Sequence, residues 1–337
     1  MDAEQKQSLY HPVTIGSLTI EGNLFLAPLA GYTDRAFRSV CLERGASFTY
    51  TEMVSAEGLA RGSENTEKLM ARAEGEDLLG VQIFMNEASV AIRALPRLLQ
   101  HAPSIIDINC GCPVPKVVKT GSGSALMREP RKVQEMVRAL KEYTDIPVSI
   151  KIRTGWDKNS VTFKEVADAA LNAGVDMITM HARTRQEGYS GTAHWSALTE
   201  LSHFVHNRTP RVAVFGSGDL FSPLAAKEML KTTSVDGVMF ARGAIGNPFI
   251  FEDTRQVLTG GKAAEHDLAV RMEVMLNQLY RMGKDSSQAL ACREMRKHAT
   301  SYLKGIPHGS RAKQELVQAT SYAEYERVCT RLVEGDL

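Results

Sequence analysis

Asn109-Cys110-Gly111-Cys112-Pro113 follows a short apolar run, residues 104–108, that has the composition of a strand. A cysteine held between glycine and proline just past a strand end sits on a stiff loop. It is there either as a small packing group or as a thiol aimed at a ligand. A thiol with a pKa of about 8.5 is mostly protonated at neutral pH, so it can serve as a general acid. Cys110-x-Cys112 has too few partners nearby for zinc, which usually takes four ligands, and no metal is expected. Two glycine turns, Gly216-Ser217-Gly218-Asp219 and Ala241-Arg242-Gly243, stand further along the chain. Glycine lets backbone N–H groups approach an anion closely, and Arg242 could add a charge-assisted contact.

The elements that must position these residues recur with a regular rhythm. Strand patterns are read at 24–27, 47–51, 79–84, 104–109, 148–152, 176–181, 211–215 and 236–240. Helix patterns are read at 34–44, 87–100, 130–143, 163–173, 195–205 and 223–230. Continuous apolar runs without alternation suit strands buried on both faces, as in a parallel barrel. Eight such units predict an α/β fold, a (β/α)8 barrel, with an open doubly wound sheet as the weaker alternative. Pro28, Glu52, Gln82, Asn109, Lys151, His181, Asp219 and Arg242 all fall at or just after a strand's carboxyl end. In a barrel those ends share one face, where active sites sit, and the loops after the last two strands commonly hold a phosphate.

After about residue 260 only helical patterns remain, at 270–282, 287–304, 310–318 and 322–333. The expected division is therefore a barrel over 1–259 and a small all-helical unit over 260–337. Residues 290–313 carry six Lys/Arg against one Glu, in a chain of net charge +1. That local surplus is either a solvated helix face or a surface for a polyanion. The near-neutral total excludes a global field that would recruit nucleic acid. No signal peptide is read in the first twelve residues, and no run approaches the roughly 18 apolar residues of a membrane span. Five scattered cysteines fit reduced thiols in a cytoplasmic protein; Cys41, Cys292 and Cys329 read as small buried groups. The methionines of 272–282 read as core packing.

The segment 106–124, IDINCGCPVPKVVKTGSGS, resembles the signature of the tRNA-dihydrouridine synthases at Asn109, Gly111, Cys112, Pro113, Val117, Gly123 and Ser124. The resemblance extends over approximately residues 13–333. It implies bound FMN, NADPH as electron donor, and reduction of the C5–C6 double bond of a tRNA uridine, in the D-loop for bacterial members. By resemblance, Pro28-Leu29-Ala30 passes behind the flavin ring, Gln82 meets the ring edge and Lys151 faces its pyrimidine side. His181 stands close to flavin and substrate, and Ser217, Gly218, Asp219, Ala241 and Arg242 lie around the phosphate. Cys112 would donate a proton to C5 while Asn109 holds the uracil edge or the ribose. Arg293, Arg296 and Lys297 look like the family's helical RNA-binding surface, and Arg183 and Arg185 are expected to continue that track near the barrel mouth. Ser217 replaces a usual asparagine and Ala241 a usual glycine. Ser217 is expected to donate through its hydroxyl, and Ala241 is costly only if its φ is positive. Two alternatives stay open: a small-molecule ene-reductase on the same barrel, which the basic tail opposes, and a non-catalytic RNA-binding barrel, which Cys112 and Lys151 oppose. A monomer is the default, and the uridine position is not legible.

Overall fold

The computed structural model describes residues 8–337. The reading of the amino terminus, and the barrel's assigned start, therefore fall partly on residues 1–7, outside the described residues. Eight parallel strands run β1 Leu24–Leu26, β2 Phe48–Thr49, β3 Gly80–Phe84, β4 Ile105–Asn109, β5 Val148–Arg153, β6 Met177–His181, β7 Ala213–Ser217 and β8 Gly237–Phe240. Each pairs with its sequence neighbours, and β8 pairs back onto β1, with Val238 opposite Leu24. The seam between β2 and β3 closes through a single parallel bridge, Tyr50 to Gly80, and the Thr51 N–H donates to the Gly80 carbonyl at 2.9 Å. A short ninth strand, Val54–Ser55, adds to β3. The expected barrel forms; the largest displacement is that of β7, which runs from residue 213 rather than 211, and β2 is shorter than expected.

The helices α1 Arg35–Glu43, α2 Ala56–Ala60, α3 Ala88–Gln100, α4 Pro130–Tyr143, α5 Phe163–Leu171, α6 Trp195–Arg208, α7 Pro223–Thr233 and α8 Ile250–Leu258 follow the strands in order. Strand residues are buried on both faces because these helices cover the outside while side chains fill the inside. The inner floor is aromatic. Phe25 stacks on Phe215 at 4.3 Å and meets Phe48 at 5.2 Å, and Phe48 meets Tyr50 at 5.1 Å. Gly80 is glycine because a Cβ there would sit 2.4 Å from the Tyr50 ring. A hairpin the sequence reading missed, Val13–Ile15 with Leu18–Ile20, adds its buried Val13, Ile15 and Ile20 to this floor. The barrel is therefore solid at its amino-terminal end, leaving its carboxyl-terminal end to hold a ligand.

The tail consists of α9 Leu268–Gly283, α10 Gln288–Tyr302, α11 Gly309–Gln318 and α12 Tyr322–Glu334. A reciprocal capping box, Ser321 with Glu324, starts α12. The tail builds a second core around Met275, Leu279, Met295, Tyr302 and Tyr325, into which Ala36 and Val40 of α1 and Phe249 insert. Met272 and Met282 are buried there, as are Cys292 and Cys329; Cys41 is buried in the barrel core. Ion pairs join the two units: Lys284 to Glu74 at 2.9 Å, Arg35 to Asp285, and Arg281 to Glu43. Beneath α1, Arg38 pairs with Glu76 at 2.8 Å with both side chains out of solvent. Among the described residues no helix is long and apolar enough to cross a membrane.

Candidate active site

A cavity of about 420 Å³ opens at the carboxyl ends of the barrel strands. The loop after β1 gives it Pro28, Leu29 and Ala30, β3 gives Gln82, and β4 with its loop gives Asn109 and Cys112. Lys151 and Arg153 come from β5, His181 from β6, Ser217, Gly218 and Asp219 from the end of β7, and Ala241 and Arg242 from the loop after β8. The phase seen in the sequence is the cause: alternate residues at a strand's last turn point inward, so i and i+2 pairs such as Lys151 and Arg153 share the mouth.

Cys112 owes its position to Asn109. The Asn109 Oδ1 accepts from the backbone N–H groups of Gly111 at 3.1 Å and Cys112 at 2.9 Å. Its Nδ2 donates to Gln82 Oε1 at 2.7 Å, and Gln82 Nε2 donates to Asp107 Oδ2 at 2.7 Å. Ser149 completes the chain by donating to Asp107 Oδ1 at 2.6 Å. Burial pushes the Asp107 carboxyl up to about 6 against the pull of Gln82, Ser149 and Lys151. Asn109 lines the cavity as expected, and because its acceptor is taken by two backbone donors it also shapes the cysteine loop. Arg153 braces the same loop from the other side, donating to the Gly111 carbonyl at 2.8 Å and to Thr184 and Gly188 carbonyls at 2.9 and 3.0 Å. Burial raises the Cys112 thiol above its ordinary value, with the Val114 N–H, Arg153 and Lys151 opposing. Cys110, by contrast, is fully buried behind the loop and cannot reach a ligand.

The cavity is cationic. Burial, reinforced by Arg153, lowers the Lys151 ammonium to about 8 although Asp107 and Cys112 pull it back up. Among the described residues Lys151 makes no side-chain hydrogen bond or ion pair, and its charge is offset only in part by the nearby Asp107 and Cys112. Burial, then Lys151, Arg153, Arg183 and Arg242, hold His181 far below its ordinary value, so the imidazole is neutral. At the glycine turn, Gly218 has φ of +123° and a Cβ there would lie 2.9 Å from Ala193 Cβ. Asp219 follows at φ +56°, a costly conformation for a non-glycine residue that its side chain helps to hold. Its carboxylate accepts from the Ala193 N–H and from Arg183, each at 2.8 Å, and lies 3.5 Å from Arg242.

Three further expectations are resolved or corrected by this geometry. Ala241 has no positive φ, so alanine in place of glycine costs no backbone strain. The Ser217 hydroxyl does not stand free for a ligand; it donates to the Met239 carbonyl at 2.9 Å. Arg183 does not continue a surface track. Its side chain is 1% exposed and is consumed by the Ser190 and Gly191 carbonyls and Asp219. Arg293, Arg296 and Lys297 lie outside the cavity on α10. Arg293 is exposed, Arg296 points to the Ala319 carbonyl at 3.4 Å, and Lys297 pairs with Glu294 at 3.0 Å. Lys297 also lies 5.7 Å from the ring of Tyr32, which lines the cavity, so α10 reaches the mouth there. His298 packs edge-on to the same Tyr32 at 5.3 Å and is held down to about 3 by burial and Lys297.

Tyr32, Met53, Arg153, Tyr189 and Phe221 also line the cavity, and sequence reasoning missed them. Arg153 was within reach, since its i+2 spacing from Lys151 puts it on the same face. Tyr189 and Phe221, which lie 4.3 and 5.1 Å from the Arg242 guanidinium, are loop residues with no periodic signal. Among the described residues no cluster of His, Cys, Asp and Glu could hold a metal.

Three comparisons bear on this site. The sequence model described as dihydrouridine synthase matches residues 25–334. A probable tRNA-dihydrouridine synthase of Treponema pallidum is 44% identical over 96% of this chain and 97% of its own length. A probable tRNA-dihydrouridine synthase of Aquifex aeolicus is 35% identical over 94% of this chain and 98% of its own, and tRNA-dihydrouridine synthase B of Pseudomonas putida is 35% identical over 88% and 87%. Among solved structures, 2-naphthoyl-CoA reductase overlays with TM-score 0.57 at 12% identity, over 76% of this chain and 52% of that one. Histamine dehydrogenase from Rhizobium sp. 4-9 gives 0.57 at 14%, over 82% and 51%. The chain spans about half the length of these two, and the likeness is one of barrel fold alone.

Proposed function

This chain belongs to the dihydrouridine synthase family, and from that premise we propose that it reduces the C5–C6 double bond of uridines in tRNA, with FMN bound in the barrel mouth and NADPH as reductant. The observation that carries the reading is the conjunction, in one cavity, of the Cys112 thiol on a braced loop and a partly buried cation, Lys151, without a direct partner. Such an ammonium is costly unless something anionic or electron-rich completes it. The ring of FMN, which gains negative charge on reduction, would meet that demand, and its phosphate would pair with Arg242. The residues present fit it: the turns around Gly218 and Ala241 with Arg242 for the phosphate, Pro28, Leu29 and Ala30 as the wall of a flat ring, and Gln82 and Lys151 at its polar edge. Bound there, FMN would supply the hydride that NADPH provides.

Everything else is done by this chain. Cys112 gives a proton to C5, and its raised pKa keeps that proton available through neutral pH. Asn109 and Arg153 fix the loop so that the thiol is aimed before substrate arrives, which lowers the entropic cost of the step. His181, neutral and braced by Arg183, is a hydrogen-bonding group for a uracil carbonyl rather than a second cation. Asp219 orders Arg183 and Arg242 rather than touching a ligand through its carboxylate. A tRNA uridine is stacked or paired and must be drawn out to reach this depth. We assign residues 260–337, through Arg293, Arg296 and Lys297, to holding the surrounding backbone, and place the reaction in the cytoplasm, where tRNA and NADPH meet. The test is mass spectrometry of tRNA from cells lacking their own synthases, after incubation with the purified protein and NADPH. A gain of two hydrogens on a mapped uridine supports the reading; unaltered tRNA from protein that NADPH reduces contradicts it.

A further inference from the structure

We infer that Arg128, Trp156 and Arg185 form a second RNA-backbone site on the barrel rim, across the cavity from the helical tail. This rests on the reading of the chain as an enzyme of tRNA. The guanidinium carbons of Arg128 and Arg185 each lie 4.6 Å from the Trp156 ring centroid. Two cations gathered on one indole repel each other, and among the described residues neither forms an ion pair. The carboxylates nearest in sequence are engaged elsewhere or stand apart. Asp157 accepts from the Asn159 N–H, Glu187 holds Thr184 and His194, and Glu129 pairs with neither arginine. Lys158, two residues after Trp156, is exposed and also lacks an ion pair within the described chain. An arrangement of cations that the protein does not neutralise, interleaved with an aromatic ring, is suited to phosphates with a base or sugar beside them.

The loops that carry these side chains are tied together. Arg128 ends a short helical turn, Gly123–Arg128, that follows the Cys112 loop; Trp156 follows β5; Arg185 follows β6. These three loops are bonded to one another. The Arg185 N–H donates to the Gly155 carbonyl at 2.9 Å, the Gln186 N–H to the Trp156 carbonyl at 3.0 Å, and Thr162 Oγ1 to the Met127 carbonyl at 2.6 Å. All three leave the carboxyl-terminal end of the barrel, the face that holds the cavity. In the closed strand order β1 and β5 stand opposite each other, and α10 meets the mouth at Tyr32, just after β1. Trp156 follows β5. The two basic surfaces therefore flank the cavity from opposite rims, so backbone on each side of an extruded uridine can be gripped at once.

The test is filter binding of an unmodified tRNA transcript to the full-length, FMN-loaded protein across a range of salt, for wild type, Arg128→Gln/Arg185→Gln and Arg128→Lys/Arg185→Lys. The glutamine pair is expected to weaken binding roughly tenfold at low salt and to flatten the salt slope by about two, while the lysine pair keeps the slope. In steady state the glutamine pair raises KM for tRNA and leaves kcat near wild type. Should the glutamine pair not fold, Arg128→Gln alone, at an exposed position, is expected to lower the slope by about one. A folded glutamine variant with the wild-type slope, while wild type reduces the transcript, overturns this inference alone. Wild type that leaves the transcript unreduced overturns the reading of function beneath it.

Discussion

The barrel mouth and the helical tail are both cationic, but their cations are kept in different conditions. In the mouth Lys151 is partly buried, without a partner, and lowered to about 8. On α10 Lys297 shares its charge with Glu294 and Arg296 leans on a backbone carbonyl. The first arrangement is unfavourable until a ligand completes it; the second is stable as it stands and gains only modestly from an incoming phosphate. On the reading proposed above, the mouth serves chemistry at one point and the tail an adjustable, salt-sensitive grip. Substitutions should separate along that line.

The largest effect is expected from Cys112→Ala, which removes the proposed acid: dihydrouridine formation should fall about 10²–10⁴-fold while tRNA affinity stays near wild type. Next comes the helix that both units share. Arg38→Met leaves Glu76 buried without its cation and should destabilise the fold by about 3–5 kcal/mol, measured by denaturant unfolding. Because α1 also enters the tail core, barrel and tail signals should be lost in one transition; two separate transitions would break the picture of a tail docked on α1. A third effect is on pH dependence. A lysine lowered from 10.5 to about 8 is charged below that pH and loses its charge as pH rises through it. Turnover should therefore decline above about pH 8 in wild type, whereas Lys151→Arg, slower overall, should show no decline there because arginine stays charged. The same alkaline limb in both would exclude Lys151 as its origin. The smallest effect belongs to the tail: Arg296→Ala/Lys297→Ala should flatten the salt slope of tRNA binding by at most about two, and less if Glu294 already screens Lys297.

The two regions also differed in how far they could be read beforehand. The strands were legible because burial on both faces leaves an unbroken apolar run, and inward residues at their ends were legible from position alone. Gln82, Asn109, Lys151 and His181 follow from that rule, and all four line the cavity. What position could not show is which polar groups are used up inside the protein. Arg183 looked like a surface contact until the loop after β6 folded back to offer it the carbonyls of Ser190 and Gly191. Ser217 looked like a donor until β8 presented the Met239 carbonyl. Both partners are distant in sequence or set by loop path, so no local pattern announces them. The tail's charges were visible as a run, but a run does not distinguish a solvated face from a binding one. Its meeting with Tyr32 depends on how α10 docks against α1.

The most direct test is the single-turnover rate of dihydrouridine formation at saturating tRNA, with reduced enzyme, for wild type, Cys112→Ala and Arg296→Ala/Lys297→Ala. If the mouth carries the chemistry and the tail the grip, saturation restores the tail variant to near the wild-type rate and leaves Cys112→Ala at least about a hundredfold slower. A Cys112→Ala enzyme as fast as wild type would contradict the account at its centre.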